Sequence, residues 1–365
     1  MRPDASVESH HFEALGTSCS LFAVGLSHGP LLEGELWVRR LGARLTRFSE
    51  DSELSQLNRA AGDWVPISDV MNEILHAALR AHAMSAGLVN VAVLPAMLAV
   101  GYTRPLIEGP GVATLESLRP LLPLPDVLEL RDGEARVQDG CGVDLGGIAK
   151  GWMADRLSET LGPNVVVNLG GDLRARGAGP RGDGWPVGLG GATLLLRNQG
   201  AATSSVRRRR WDEGPRGETP PHLWGGGPKG RRGEAATRGE TPPHLWGGGP
   251  KGRSSEAATR GETPPHLWGG GPKGRRGEAA TRRETPPHLW GGGPKGRRGG
   301  SLHHLIDPRT GSPARTGLEE VSVVAANGFE AEVVAKTALL LGPDLAPAYC
   351  AAHAMAWWLS GTHDD

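Results

Sequence analysis

The chain has 365 residues, with 40 basic and 40 acidic side chains, 56 glycines and 3 cysteines. Its zero net charge averages two unlike regions, because residues 207–300 hold 20 of the basic but only 9 of the acidic side chains. An acidic body argues against nucleic acid as a main partner, while the basic insert leaves weak, salt-sensitive contact with polyanions open.

Cys19, Cys141 and Cys350 are widely spaced, odd in number and form no C-x-x-C pair, which fits a reducing compartment and no Cys-based metal site. Residues 1–11 lack the apolar run of a signal peptide, and no stretch approaches 18 uncharged apolar residues. A cytoplasmic protein without a transmembrane segment is expected.

In chain order, Phe12 to Val24 reads as a strand broken at Gly16-Thr17. Residues 32–45 have helical spacing, with Leu36, Val38, Leu41 and Leu45 apolar, and Val70 to Met84 reads as a second helix. Asp132-Gly133 between two short apolar runs is a hairpin signal. Asp144-Leu145-Gly146-Gly147-Ile148-Ala149-Lys150-Gly151 is a glycine turn feeding a helix that continues through Met153, Ala154 and Leu157. Such a helix start presents unpaired N–H groups to an anion such as a phosphate, and Lys150 adds a point charge. It is neither a Walker A motif nor G-x-G-x-x-G, and a structural turn with a surface lysine is the alternative.

Val165 to Leu169 is an apolar run ending in Gly170-Gly171, and Asn168 to Asp172 offers close backbone approach with polar heads. Two further short strands flank Gly190-Gly191. A 22-residue unit beginning Thr-Pro-Pro-His-Leu-Trp-Gly-Gly-Gly-Pro-Lys-Gly then recurs four times, from Thr219, Thr241, Thr263 and Thr285. Its prolines and glycines favour neither helix nor ladder, so a disordered low-complexity insert over 212–300 is expected. Without it about 276 residues remain, enough for one large core.

Beyond the repeat comes His303-His304-Leu305-Ile306-Asp307-Pro308-Arg309-Thr310-Gly311. There Asp307 caps a turn, Arg309 can grip a phosphate bidentately, and His304 can titrate near neutrality and move a proton. A turn with a core histidine is the alternative. Val321 to Ala325 reads as a strand, and Phe329 to Leu341 as a long helix closed by Gly342-Pro343.

Taken together and in this order, the motifs resemble the ApbE family of FAD:protein FMN transferases. The likeness rests on Ala14-Leu15-Gly16-Thr17, Arg47 through Asn58, the DLGGIAKG motif at 144–151, VNLGGD at 167–172, Ala202-Thr203-Ser204 and HHLIDPRTG at 303–311, and it skips the repeat. It implies an α+β fold of mainly antiparallel sheets packed with helices, T-fold-like. The domain would be split into 12–211 and 301–360 around the insert.

It further implies that FMN is moved from FAD onto a threonine hydroxyl of an acceptor protein, with AMP leaving and Mg²⁺ assisting. Leu15, Phe48, Leu88, Val89 and Asn90 would line the flavin or adenine pocket. Asp144, Lys150, Gly170, Gly171, Arg309 and Thr310 would also serve FAD. His304 and Asp307 would be catalytic, and the metal would be held by the Gly147 carbonyl and Glu332. The sequence departs from the family on the late helix, where Lys336 stands in place of a usual threonine. A charged ammonium has no lone pair for a metal, so Lys336 can instead neutralise the pyrophosphate itself. Val89-Asn90-Val91-Ala92 likewise has Asn for a usual acid.

Overall fold

The computed structural model describes residues 6–207, 209–211 and 301–361. The repeat expected to be disordered, 212–300, lies outside the described residues. Seven strands form one sheet: β1 (Val7–Ala14), β2 (Thr17–Val24), β3 (Val165–Leu169), β4 (Asp172–Arg176), β5 (Gln199–Ser205), β6 (Leu318–Ala325) and β7 (Ala356–Gly361). Their spatial order equals their chain order, and every neighbouring pair is antiparallel. Four long helices accompany it: α1 (His28–Leu45), α2 (Asp69–Met84), α3 (Ala149–Leu161) and α4 (Gly328–Leu341). The antiparallel α+β expectation is met.

The pleat sorts the strand residues. In β3, Val165, Val167 and Leu169 join the helical core, while Val166 packs on the other face with Trp185, Leu189 and Leu196 of the 185–196 hairpin. In β6, Val321, Val323 and Ala325 pack with α4, and Val324 faces the hairpin. A sheet covered on both faces explains why its central strands read as continuous apolar runs.

Helix α1 buries Leu31, Gly34, Val38, Leu41 and Leu45, a 3-4 spacing that makes one inward stripe. Leu36, expected on that stripe, falls on the outer face and is 56% exposed. Helix α2 begins at Ser68, whose hydroxyl accepts from the Met71 N–H. Helix α4 is fixed twice at its start. Asn327 Oδ1 accepts from the Glu330 N–H at 2.8 Å, and Asp155 of α3 accepts from the N–H groups of Gly328 and Phe329 at 2.8 and 2.9 Å. Free N–H groups at a helix start attract a carboxylate, so α3 and α4 are tied at one crossing.

Where the insert leaves and returns, Arg210-Trp211 pairs antiparallel with Leu302-His303. Trp211 Nε1 donates to the Val100 carbonyl at 3.0 Å. The residues that flank 212–300 thus pair with each other, and a connection between paired strands costs only slowly more entropy as it lengthens.

Candidate functional site

Three turns meet at one end of the sheet. The first, Leu15-Gly16, joins β1 to β2 with both residues at positive φ. The second, Gly170-Gly171, joins β3 to β4 with φ of 74° and 101°. A Cβ on Gly170 would lie 2.5 Å from the Thr17 side chain, so glycine is required both for its φ and for the close approach. The third is Gly146-Gly147, leading into α3. Asp144 Oδ1 accepts from the Gly146 N–H at 2.8 Å and shapes this turn. Its position is set by Asn58, whose amide bonds both the N–H and the carbonyl of Val143.

Charge gathers here. Lys150 pairs with Asp172, just past the glycines of the second turn. Lys336 of α4 donates to the Gly147 carbonyl. Glu332, one helical turn before it, accepts from the Gly151 N–H at 2.9 Å. Arg47, almost wholly buried, reaches Asp144 Oδ2 and the Tyr102 carbonyl, both at 2.6 Å. Its guanidinium lies 4.2 Å from the Phe48 ring centroid and 4.5 Å from that of Tyr102. Arg209 acts electrostatically on Lys150, Lys336 and His304 alike. Four cations thus face three carboxylates, Asp144, Asp172 and Glu332, and the surplus is positive. Burial lowers Lys150 to about 8, against the opposing pull of Glu332. Burial also lowers Lys336, with Glu332 and Asp144 pulling it back up.

The two adjacent histidines divide their work. His303 uses both ring nitrogens, Nδ1 accepting from the Leu305 N–H and Nε2 bonding the Ala314 carbonyl. It is the core histidine. His304 hydrogen-bonds the Arg209 backbone, and its fully enclosed Nδ1 has no partner. The expectation that His304 titrates near neutrality is corrected: burial, then Arg209 and Lys336, hold it well below the usual histidine value. It stands neutral with an unused ring nitrogen.

Other expected site residues are otherwise engaged. Asp307 takes the Arg309 backbone N–H and its guanidinium, with Nη2 to Oδ2 at 2.7 Å. Arg309 also donates to the Leu340 carbonyl near the end of α4. The pair closes its own turn and ties it to α4, so Arg309 does not present a free fork to a phosphate. Thr310 caps the same turn through the Ser312 N–H. Asn90 donates to the Leu122 carbonyl and accepts from the Ala92 N–H, Val89 is in the main core, and Leu88 packs against the α4 cluster. Phe48 is 40% exposed and Leu15 lies at the rim of the core.

Magnesium does not fit the donors present. The Gly147 carbonyl already accepts from Lys336, and the Glu332 carboxylate accepts from Gly151. Among the described residues no group of three or more His, Cys, Asp and Glu could hold a metal. Mg²⁺ needs about six oxygens at about 2.0–2.1 Å. At 4 Å from an ammonium it would meet a repulsion of about 8 kcal/mol at an effective dielectric near 20. The expected metal pair, the Gly147 carbonyl and Glu332, already carries hydrogen bonds from Lys336 and Gly151.

Arg47, Arg209, Asp172 and Asn58 were missing from the expected set. Asn58 and Arg47 sit at the two ends of the 47–58 motif, which is the signal that could have marked them.

Fold and site together define an α+β domain in which a glycine turn and the start of α3 are ringed by cations. The ApbE family pattern matches residues 15–224 and 291–358, and the chain belongs to the ApbE family. Two curated relatives named FAD:protein FMN transferase, from Haemophilus influenzae and Klebsiella pneumoniae, are each 26% identical. The matches cover 50% and 51% of this chain, and 59% and 63% of the relatives' own length. The apo flavinyl transferase ApbE of Pseudomonas stutzeri superposes with a TM-score of 0.65 at 18% identity, covering 98% of this chain and 92% of that one. The ApbE protein of Thermotoga maritima gives 0.65 at 18%, covering 97% and 94%. Among the described residues no helix is long and apolar enough to cross a membrane.

Proposed function

We propose that this protein is an FAD:protein FMN transferase that moves FMN from FAD to a threonine hydroxyl of an acceptor flavoprotein and releases AMP. The single observation carrying this reading is the unpartnered Nδ1 of His304 beside Lys336 and Arg209. A neutral imidazole with a free lone pair can take a hydroxyl proton as the new bond to phosphorus forms, though burial and the nearby cations make it a weak base, and clustered cations can hold a diphosphate.

In the reaction, the threonine oxygen forms a bond to the phosphorus on the FMN side. The bond from that phosphorus to the bridging oxygen breaks, and AMP departs with the electron pair. The hydroxyl proton goes to His304 Nδ1. Lys150, Lys336 and Arg209 neutralise the developing charge, which is most of what phosphoryl transfer asks of a protein. The aromatic pair Phe48 and Tyr102, with Arg47 against both rings, offers a stacking face for the isoalloxazine or adenine. Leu15, Gly170 and Gly171 shape the adjoining turns. The two-part domain, 12–211 with 301–360, carries the whole site.

A second reading, a protein that binds FAD without transferring it, is favoured by Lys336 on the Gly147 carbonyl. The test is to incubate the full chain with FAD and an acceptor domain bearing a threonine, and to follow AMP by chromatography and the acceptor by mass. Acceptor-dependent AMP with FMN added to the acceptor is expected, and lost in His304→Ala while FAD binding persists. Bound, intact FAD with an unmodified acceptor would sink transfer in favour of the second reading.

A further inference from the structure

Resting on the reading that FAD is the ligand, we propose that this protein supplies from its own chain the cation that FAD binding would otherwise draw from solution: the Lys336 ammonium neutralises the diphosphate at the Gly147 turn, and no divalent ion takes part in binding. Glu332 and Lys336 lie four residues apart on α4 and so share a face. Asp155 and Asn327 fix the start of that helix, so the face is aimed by two independent caps. Glu332 reaches Gly151 and Lys336 reaches Gly147, so one helix face spans the whole beginning of α3.

The Lys336 ammonium sits where an ion shared between the turn and α4 would have to sit. A Cβ on Gly147 would collide with its Nζ, so the ammonium lies directly against this turn. Lys150, held by Asp172, and Arg209 complete a set of three cations for a doubly charged diphosphate. His304, under the electrostatic influence of Arg209 and Lys336, keeps an Nδ1 without a hydrogen-bond partner. A lysine differs from Mg²⁺ in kind: it gives a single tethered charge with three donors and cannot be removed by a chelator.

The experiment is FAD binding to the full chain by flavin fluorescence anisotropy, in EDTA and in excess Mg²⁺, without acceptor. The wild type is expected to bind with the same Kd in both buffers. Lys336→Met, which keeps the aliphatic stem, should lose about tenfold or more in EDTA. Wild-type affinity that drops about tenfold on chelation would overturn the proposal, as would Lys336→Met binding at the wild-type level in EDTA. Titration of the flavin-free protein with Mn²⁺, read by electron paramagnetic resonance, adds a second test. No stoichiometric uptake is expected, and one bound Mn²⁺ that Glu332→Gln abolishes would overturn it. Absence of FAD binding in either buffer would instead strike the flavin reading, while the Mn²⁺ result would still bear on Lys336.

Discussion

Gly151→Ala offers a sharp test of how α3 and α4 hold the site. In an open helix this change gains about 1 kcal/mol, because alanine is the better helix former. At Gly151 the new Cβ would lie 2.5 Å from the Gly328 carbonyl oxygen and 3.0 Å from Glu332 Oε2. The first obstacle is backbone at the capped start of α4, so it cannot rotate away. Overpacking costs about 1–3 kcal/mol, and separating the helices also breaks the Gly151 N–H bond to a carboxylate, about 1.5–3 kcal/mol. The net expectation is a loss of about 2–4 kcal/mol, or about 5–15 °C in Tm for a domain of this size. Gly29→Ala in α1 is the matched control, since nothing lies within 4 Å of its Cβ. It should be neutral or stabilising by up to about 1 kcal/mol. Thermal unfolding by circular dichroism reads both. A Gly151→Ala protein as stable as wild type would refute the close crossing.

Arg47→Met should cost about 3–5 kcal/mol in urea unfolding, because it leaves Asp144 enclosed without its partner; a loss below about 1 kcal/mol would show that the pair is solvated. The Lys150 value of about 8 lies below its ordinary 10.5, so the folded protein gives up that proton first. Affinity for FAD should therefore hold below pH 8 and weaken above it, while this lysine's contribution to stability rises from about pH 8 to 10.5. A flat affinity profile from pH 7 to 9.5, or one unchanged in Lys150→Gln, would contradict that. Burial raises the Cys19 and Cys350 thiols to about 11, so neither should react with a maleimide at pH 7.5 in the native protein, and all three cysteines should react once unfolded.

Much of the frame was legible in the sequence because its signals are local. Gly16-Thr17 marks the first hairpin, Gly170-Gly171 the turn between β3 and β4, and the apolar run ending at Gly342 marks α4. Strand β5 was missed because Gln199 to Ser205 is built of small residues. The reason is steric: a Cβ on Gly200 would lie within 2.1–2.3 Å of the Asn327–Gly328 backbone. The site was legible as motifs but not as pairings. Composition cannot show that Asp307 is consumed by Arg309, that Asn90 turns to the Leu122 carbonyl, or that the first histidine rather than the second is the structural one. The first is a choice within one turn, while the other two depend on partners 32 and 11 residues away, brought close by the fold. The substitution at Lys336 and its consequence, an ammonium where a metal ligand is usual, were visible in the sequence; its hydrogen bond to the Gly147 carbonyl was not.

The most direct test of the account is a crystal structure of the full chain with FAD, grown in EDTA. The account predicts the diphosphate at the start of α3, with its oxygens in hydrogen-bond reach of Lys336 and Lys150, His304 Nδ1 facing the FMN-side phosphorus, and no metal between them. A diphosphate bound away from the Gly146-Gly147 turn, or Lys336 turned out of the site, would contradict it.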